Sequence, residues 1–238
     1  MNDTGLTIPV LDSLNELVAG AFLLTAIGIV ATRQARGTLA LFVIQSLCLA
    51  SSALLLGWRF ASLHLYGVAL VNVIAKPVLI PWLLRRTVHE EVYTRREVEQ
   101  VLNVPTSLLL ALALSILAYF VTVPLQDSVQ GQFRGPNVPI GFAGLLLGAY
   151  TLAVRREAVP LLIGLLAMEN GAFFVGISLA RTLPLLVELA VATDGLIIVF
   201  ISGVLIRAVH KHVGTTAVGV LGRLKEHPVE HASEEVPG

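Results

Sequence analysis

The chain has 238 residues, of which 55% are apolar and only 13% are Asp, Glu, Lys or Arg, and its mean hydropathy is +0.82. Roughly a quarter of the residues in a soluble domain are charged, so this composition excludes a soluble globular protein and indicates an integral membrane protein. The formal net charge is zero, which gives no reason to expect a nucleic-acid partner. The single cysteine, Cys48, excludes an internal disulfide and any Cys-ligated iron–sulfur cluster or Cys zinc site within this chain.

Seven apolar runs predict membrane-spanning helices, because in lipid every backbone N–H and C=O must be paired within its own segment. The clearest is the second run, which has no ionisable side chain and is long enough to cross roughly 30 Å of hydrocarbon. The first run opens with Ser13 and has Glu16 three residues later, a pattern that predicts a capped helix start. Spans 1 to 7 are predicted at Ser13–Thr32, Gly37–Trp58, Leu63–Leu84, Pro105–Val123, Pro139–Val154, Ala158–Leu179 and Leu183–Ile206.

These spans predict an all-α membrane fold with two loosely repeated three-helix units, spans 1–3 and 5–7, and span 4 between them. The repeat is a pattern of polarity. The second helix of each unit holds one polar group (Gln45; Glu169), and the third helix holds another (Asn72; Asp194). The predicted regions are an N-terminal three-helix unit (1–86), a cytoplasmic connector (87–103), span 4 (104–125), a C-terminal three-helix unit (137–211) and a cytoplasmic tail (212–238).

The basic residues predict the orientation of the chain in the membrane. Only Arg59, Arg134 and Arg181 of the 16 Lys and Arg residues fall on the side of the N-terminus, and Lys76 lies inside span 3. The others lie on the opposite side, so the positive-inside rule predicts an external N-terminus and a cytoplasmic C-terminus. The connector alternates charge signs, as a solvated helix does, and a docking surface for a soluble partner is the alternative.

A few ionisable residues at bilayer depth are the candidate functional residues. Lys76, Glu169 and Asp194 lie near the middle of spans 3, 6 and 7, where a charge costs about 2.5–3.5 kcal/mol and normally faces a path or a partner. A carboxyl or amine in such surroundings can exchange protons near neutral pH, so these three residues predict a proton relay. The alternative is that they only hold helices together. Glu188 lies closer to the membrane surface and is a secondary candidate, with an ion pair to Arg181 as its simpler interpretation.

The partner of Lys76 is left open by the sequence. Gln45 and Asn72, the polar groups of spans 2 and 3, are neutral secondary candidates, so a counter-charge must come from Glu169, from Asp194, from water or from an adjacent subunit. Pro77, which follows the lysine, has no N–H for the carbonyl of the preceding turn, so a local opening of the helix is expected.

Weaker signals concern helix packing and the absence of catalytic motifs. The small residues Gly144 and Gly148 of span 5 predict a close helix approach, and the serines of span 2 predict hydrogen bonds between helices. The sequence contains no P-loop, no Gly-rich dinucleotide loop and no nucleophile elbow. We therefore expect no catalytic, cofactor-binding or metal site in this chain.

Two stretches, Arg155–Asn170 and Leu189–Asp194, resemble the three-helix K subunit of complex I and the C subunit of multisubunit cation/proton antiporters. In that family two acids, one in each stretch, belong to the proton path. Asp194 falls on the second acid position. The first position aligns with Leu166, and Glu169 lies three residues later, almost one helical turn, so it can serve the same helix face.

The whole-chain plan of seven spans, a K-like C-terminal unit and a charged connector resembles component E of hydrogenase-4. That resemblance implies a non-catalytic membrane subunit of a complex-I-like hydrogenase or formate hydrogenlyase in a bacterial or archaeal cell membrane, contributing to proton translocation or its coupling to redox chemistry. Its partners would be antiporter-like subunits, the membrane subunit that contacts the soluble arm, and subunits that carry the [NiFe] centre and the iron–sulfur clusters. The alternatives are a structural spacer, a subunit of a cation/proton antiporter and a stand-alone permease.

Overall fold

The computed structural model describes residues 4–82, 103–128 and 137–179, and these ranges contain helices and no β-strand. The helices are α1 (Thr4–Ala31), α2 (Ala35–Phe60), α3 (Leu63–Ile74, continued by a π-helical turn at Ala75–Leu79), α4 (Val104–Ser128), α5 (Asn137–Val154) and α6 (Ala158–Leu179). Six segments are long and apolar enough to cross a membrane, one for each of the predicted spans 1 to 6. The predicted span 7, the connector and the tail lie outside the described residues.

The predicted start of span 1 is wrong, whereas α6 has the bounds that the sequence predicts. Helix α1 begins at Thr4, so Ser13 lies inside the helix and does not cap it. A helix is held by its backbone hydrogen bonds and can therefore extend beyond the apolar run into polar surroundings. The extension is held beside α2, because Asp12 forms an ion pair with Arg59 near the end of that helix.

The helices pack so that the first two helices of each predicted unit contact each other across the bundle. Helix α1 packs against α5 and α2 against α6, in addition to the contacts between neighbours in the chain. Hydrogen bonds support this arrangement, since Asn15 of α1 donates to Asn137 of α5 at 3.1 Å and accepts from Ser52 of α2 at 2.7 Å. The predicted hydrogen bonds from the serines of span 2 to other helices are thus confirmed at Ser52.

Two apolar clusters divide the interior along the direction of the helices. One contains Phe42 of α2 and Leu166 of α6, and the other contains Leu49 of α2 and Phe174 of α6. Between them on both helices lie polar residues, which form the site described below. Apolar packing therefore closes this polar layer on both sides.

Glycines bring α5 and α6 into backbone contact. A Cβ atom at Gly171 of α6 would lie 2.1 Å from the backbone nitrogen of Leu145, and one at Gly148 of α5 would lie 2.3 Å from that of Met168. Such distances leave no room for any side chain, because two backbones approach this closely only where the residue is glycine. The predicted close approach at Gly144 and Gly148 is confirmed, and Gly171 is its counterpart on α6.

Candidate functional site: a buried ion pair between α3 and α6

Lys76 lies within the π-helical turn of α3, next to Pro77. The π turn is the local opening expected where proline supplies no N–H. Lys76 follows Leu63 by 13 positions, which places it roughly 20 Å along the helix at 1.5 Å per residue. Only 2% of its surface is exposed, so its ammonium group lies deep within the bundle.

Three side chains of α6 contact the Lys76 ammonium group. Its Nζ lies 2.9 Å from Oε1 of Glu169, donates a hydrogen bond to Oδ1 of Asn170 at 2.7 Å, and lies 5.0 Å from the centre of the Phe173 ring. The carboxylate supplies the counter-charge, and the face of an aromatic ring also attracts a cation. The Glu169 side chain is 19% exposed, although its Oε1 is buried against Lys76, so Glu169 reaches the surface of the bundle in part while Lys76 does not.

Asn170 extends the pair into α2. Its Nδ2 donates to Oγ of Ser46 at 3.0 Å and to Oε1 of Gln45 at 3.3 Å, and Ser46 in turn donates to the carbonyl of Phe42. The ammonium group accepts no hydrogen bond, so it requires the oxygen of Asn170 on its side and directs the amide nitrogen towards α2. The charge on Lys76 thus sets the orientation of the Asn170 amide and, through it, that of the Gln45 amide.

Besides Oε1 of Glu169, which is ion-paired with Lys76, two buried polar atoms next to this network have no hydrogen-bond partner among the described residues. They are Nε2 of Gln45, which is fully buried, and Oδ1 of Asn72, which is 3% exposed and lies one turn before Lys76. The other amide atom of each residue is engaged, since Gln45 Oε1 accepts from Asn170 and Asn72 Nδ2 donates to the carbonyl of Val68. One free donor and one free acceptor match the hydrogen bonding of a water molecule.

The structure brings together some of the residues singled out from the sequence. Of the partners left open for Lys76, it places Glu169 against the ammonium group. The secondary candidate Gln45 is connected to Lys76 through Asn170 by two hydrogen bonds. Asp194 and Glu188 lie outside the described residues. Sequence reasoning missed Asn170 and Phe173, although an amide directly after a mid-span acid was a signal for the first of them.

No three His, Cys, Asp or Glu side chains within the described ranges lie close enough together to hold a metal ion. The polar groups of the site are a carboxylate, an ammonium group, amides and a hydroxyl. Such groups can hold, orient and exchange protons.

A second buried charge, Arg155, lies outside the membrane spans, where α5 ends. Its Nη2 lies 2.9 Å from the carbonyl oxygen of Ile29 and 3.1 Å from that of Val30, two of the last four carbonyls of α1, which have no partner within the helix. Burial lowers the pKa of the Arg155 guanidinium to about 10, and the nearby charge of Arg33 acts in the same direction. Arg155 nevertheless stays charged at neutral pH and caps the end of α1.

We expect Arg155→Ala to destabilise the protein by about 1–3 kcal/mol, because it leaves buried carbonyls of α1 without a donor. The matched control is Arg156→Ala, which removes an exposed arginine from the next position and should change stability by about 0.5 kcal/mol or less. The melting temperatures of the two variants in the same mild detergent check this. Equal melting temperatures would show that Arg155 does not support α1.

Comparison with known proteins finds relatives that match this chain over most of their own length. It is 30% identical over 211 residues to the uncharacterized protein Rv0085 of Mycobacterium tuberculosis, which covers 89% of this chain and 96% of the relative. It is 27% identical over 216 residues to hydrogenase-4 component E of Escherichia coli K12, which covers 87% of this chain and 95% of that protein. The component E of Shigella flexneri gives the same values.

No protein-family model matches the chain. No solved structure matches it either. The similarity to Rv0085 extends over almost the full length of both proteins, and the described helices are those of a multi-pass membrane protein. This multi-pass membrane protein belongs to the same family as Rv0085 of Mycobacterium tuberculosis.

Proposed function

We propose that this chain is an integral, non-catalytic subunit of a membrane-bound hydrogenase complex and that the Lys76–Glu169 pair takes part in proton translocation or in its coupling to redox chemistry. The similarity to hydrogenase-4 component E over 216 residues supports the first half of the proposal. The observation that carries the second half is a nearly fully buried ammonium group held by one carboxylate at bilayer depth. Ionisable groups at this depth are expensive and typically serve an ion path.

The geometry suggests how the pair would respond to a proton. When Glu169 accepts a proton, the carboxylate loses its charge and Lys76 loses the counter-charge that offsets its burial. The ammonium group then retains Asn170 and Phe173, which stabilise a cation less strongly than a carboxylate does. Protonation of Glu169 therefore favours either deprotonation of Lys76 or movement of its side chain. In the first case, proton binding at Glu169 is linked to proton release at Lys76.

The exposed part of Glu169 suggests where the proton arrives. The apolar clusters around Phe42 and around Phe174 close the polar layer along the bundle, whereas Glu169 reaches the bundle surface. We infer a lateral route, in which a neighbouring subunit or water at the surface supplies the proton to Glu169. Gln45 and Asn72 would hold water on the α2–α3 side of Lys76, because one has a free donor and the other a free acceptor.

The remaining parts of the proposal concern regions and partners outside the described residues. We propose a seventh span at Leu183–Ile206, a parallel repeat of two three-helix units, an external N-terminus and a cytoplasmic C-terminus in a bacterial or archaeal cell membrane. Asp194 would be a second acid of the proton path, and Glu188 a secondary one. Antiporter-like subunits and the membrane subunit that contacts the soluble arm would be its neighbours, with the [NiFe] centre and iron–sulfur clusters in other chains.

Purification of the tagged full-length chain from its native membrane in mild detergent tests this proposal. A hydrogenase subunit is expected to carry antiporter-like and iron–sulfur subunits with it, together with hydrogen-oxidising activity towards an artificial electron acceptor. A tagged, unrelated membrane protein from the same cells is the control. Isolation of the chain alone or as a homo-oligomer would contradict the proposal and favour a permease. Co-purification with antiporter subunits but without hydrogenase subunits would indicate a cation/proton antiporter.

A further inference from the structure

Two short turns meet at one end of the bundle. The turn at residues 32–34 joins α1 to α2, and the turn at residues 155–157 joins α5 to α6. The hydrogen bonds from Arg155 to the last carbonyls of α1 hold the two turns together. Each turn lies between the end of one membrane span and the start of the next, so both lie at the depth of lipid headgroups.

The two turns and the first residues of α2 carry an excess of positive charge. Arg33, Arg36, Arg155 and Arg156 lie here with a single acid, Glu157. Arg155 and Glu157 are buried and engaged within the protein. The side chains of Arg36 and Arg156 are exposed, so the charge available to a ligand is positive.

Arg33 has a buried hydrogen-bond donor that the described residues do not use. Its Nε is shielded from solvent and has no partner there, although buried N–H groups are normally paired. Arg33 also lies close enough to Arg155 for the two positive charges to oppose each other. A negatively charged group beside Arg33 would reduce this repulsion, and a turn of the side chain would let its unused N–H donate to that group.

We propose that Arg33, Arg36 and Arg156 bind a phosphate group and that this phosphate belongs to the headgroup of an anionic phospholipid. The planar guanidinium group matches phosphate oxygens with two parallel hydrogen bonds, and arginine is favoured where such recognition is needed. The position of both turns at headgroup depth favours a lipid over a free phosphate ion. Basic pockets between membrane helices bind anionic headgroups in this way. The site does not depend on the hydrogenase proposal.

Native mass spectrometry of the full-length protein tests the site, with phosphatidylglycerol and phosphatidylcholine as the two lipid probes. The wild type is expected to retain about tenfold more phosphatidylglycerol, or a larger excess, than the variant Arg33→Gln/Arg36→Gln/Arg156→Gln does. The wild type is also expected to retain more phosphatidylglycerol than phosphatidylcholine, which is zwitterionic. Arg59→Gln, which removes an arginine at the opposite end of α2, is the control and should bind as the wild type does. If the triple variant does not fold, the single variants of the exposed Arg36 and Arg156 replace it.

The alternatives give different results. Equal retention of phosphatidylglycerol by the wild type and the variants, or equal retention of the two lipids, would overturn the proposal. Displacement of phosphatidylglycerol by millimolar inorganic phosphate, with the same dependence on the three arginines, would reassign the site to a free phosphate. Loss of an acidic protein partner in the variants, with unchanged lipid retention, would also overturn the lipid site.

Discussion

Neutralising Glu169 alone should destabilise this protein more than removing the charge of Lys76, and neutralising both should restore most of the loss. Breaking a buried ion pair by removing one partner costs about 3–5 kcal/mol, because the other charge stays buried without compensation. Glu169→Gln leaves the charge of a lysine whose side chain is 2% exposed, whereas Lys76→Met leaves the charge of a glutamate whose side chain is 19% exposed. Lys76→Met should therefore lower the free energy of unfolding less than Glu169→Gln does, since the Glu169 side chain reaches the bundle surface.

Melting temperatures of Glu169→Gln, Lys76→Met and the double variant in one detergent check this expectation. The ion pair between Asp12 and Arg59, whose side chains are both exposed, is the matched control, and Asp12→Asn should cost about 1 kcal/mol or less. Lys76→Arg should recover only part of the loss, because the larger guanidinium group must fit the same buried space. Independent, additive losses in the double variant would contradict a direct ion pair, because residues in contact are expected to show a coupling energy.

Gly171→Ala should destabilise the protein severely, although it adds only one methyl group. The new Cβ would lie 2.1 Å from the nitrogen of Leu145 and 2.6 Å from the carbonyl carbon of Gly144, so α5 and α6 must separate. Overpacking a core costs about 1–3 kcal/mol and occasionally more, and here the obstacle is backbone, which cannot change its rotamer. The separation would also shift Asn170, which lies next to Gly171 and contacts Lys76.

Gly20→Ala is the matched control for this change, because a Cβ at Gly20 of α1 meets no atom within 4 Å. Alanine is favoured over glycine within a helix by about 1 kcal/mol, so this variant should be as stable as the wild type or more so. The yield of folded protein and its melting temperature in detergent separate the two outcomes. Similar values for Gly171→Ala and Gly20→Ala would show that α5 and α6 do not pack as described.

The helices could largely be predicted from the sequence, because hydropathy reports directly on lipid burial. The bounds of α6 follow from the apolar run alone. The start of α1 could not be predicted in this way, since Thr4 and Asp12 are polar and their helical state depends on packing beside α2. The π turn at Pro77 was predictable in kind, because proline removes a specific donor.

The site could be predicted in its charges but not in its pairing. A mid-span lysine and a mid-span acid are visible in the sequence, yet Lys76 and Glu169 are far apart in the chain and meet only because α3 and α6 both pack against α2. Asn170 was less visible, since an amide costs less in a membrane than a charge does. Its role depends on the direction of its three hydrogen bonds, one from Lys76 and two to α2, and only the fold supplies this direction.

The role of the Lys76–Glu169 pair in proton translocation is tested by the number of protons translocated per electron in the complex that contains the Lys76→Met/Glu169→Gln variant. This variant has no buried charge at the pair, so it should assemble, and its redox turnover with an artificial acceptor should match that of the wild type. Proton uptake into sealed vesicles, measured during turnover with equal amounts of the two complexes, gives the ratio. A role of the pair in proton translocation predicts a lower ratio in the variant than in the wild type. An unchanged ratio would contradict it and leave the pair with a structural role alone.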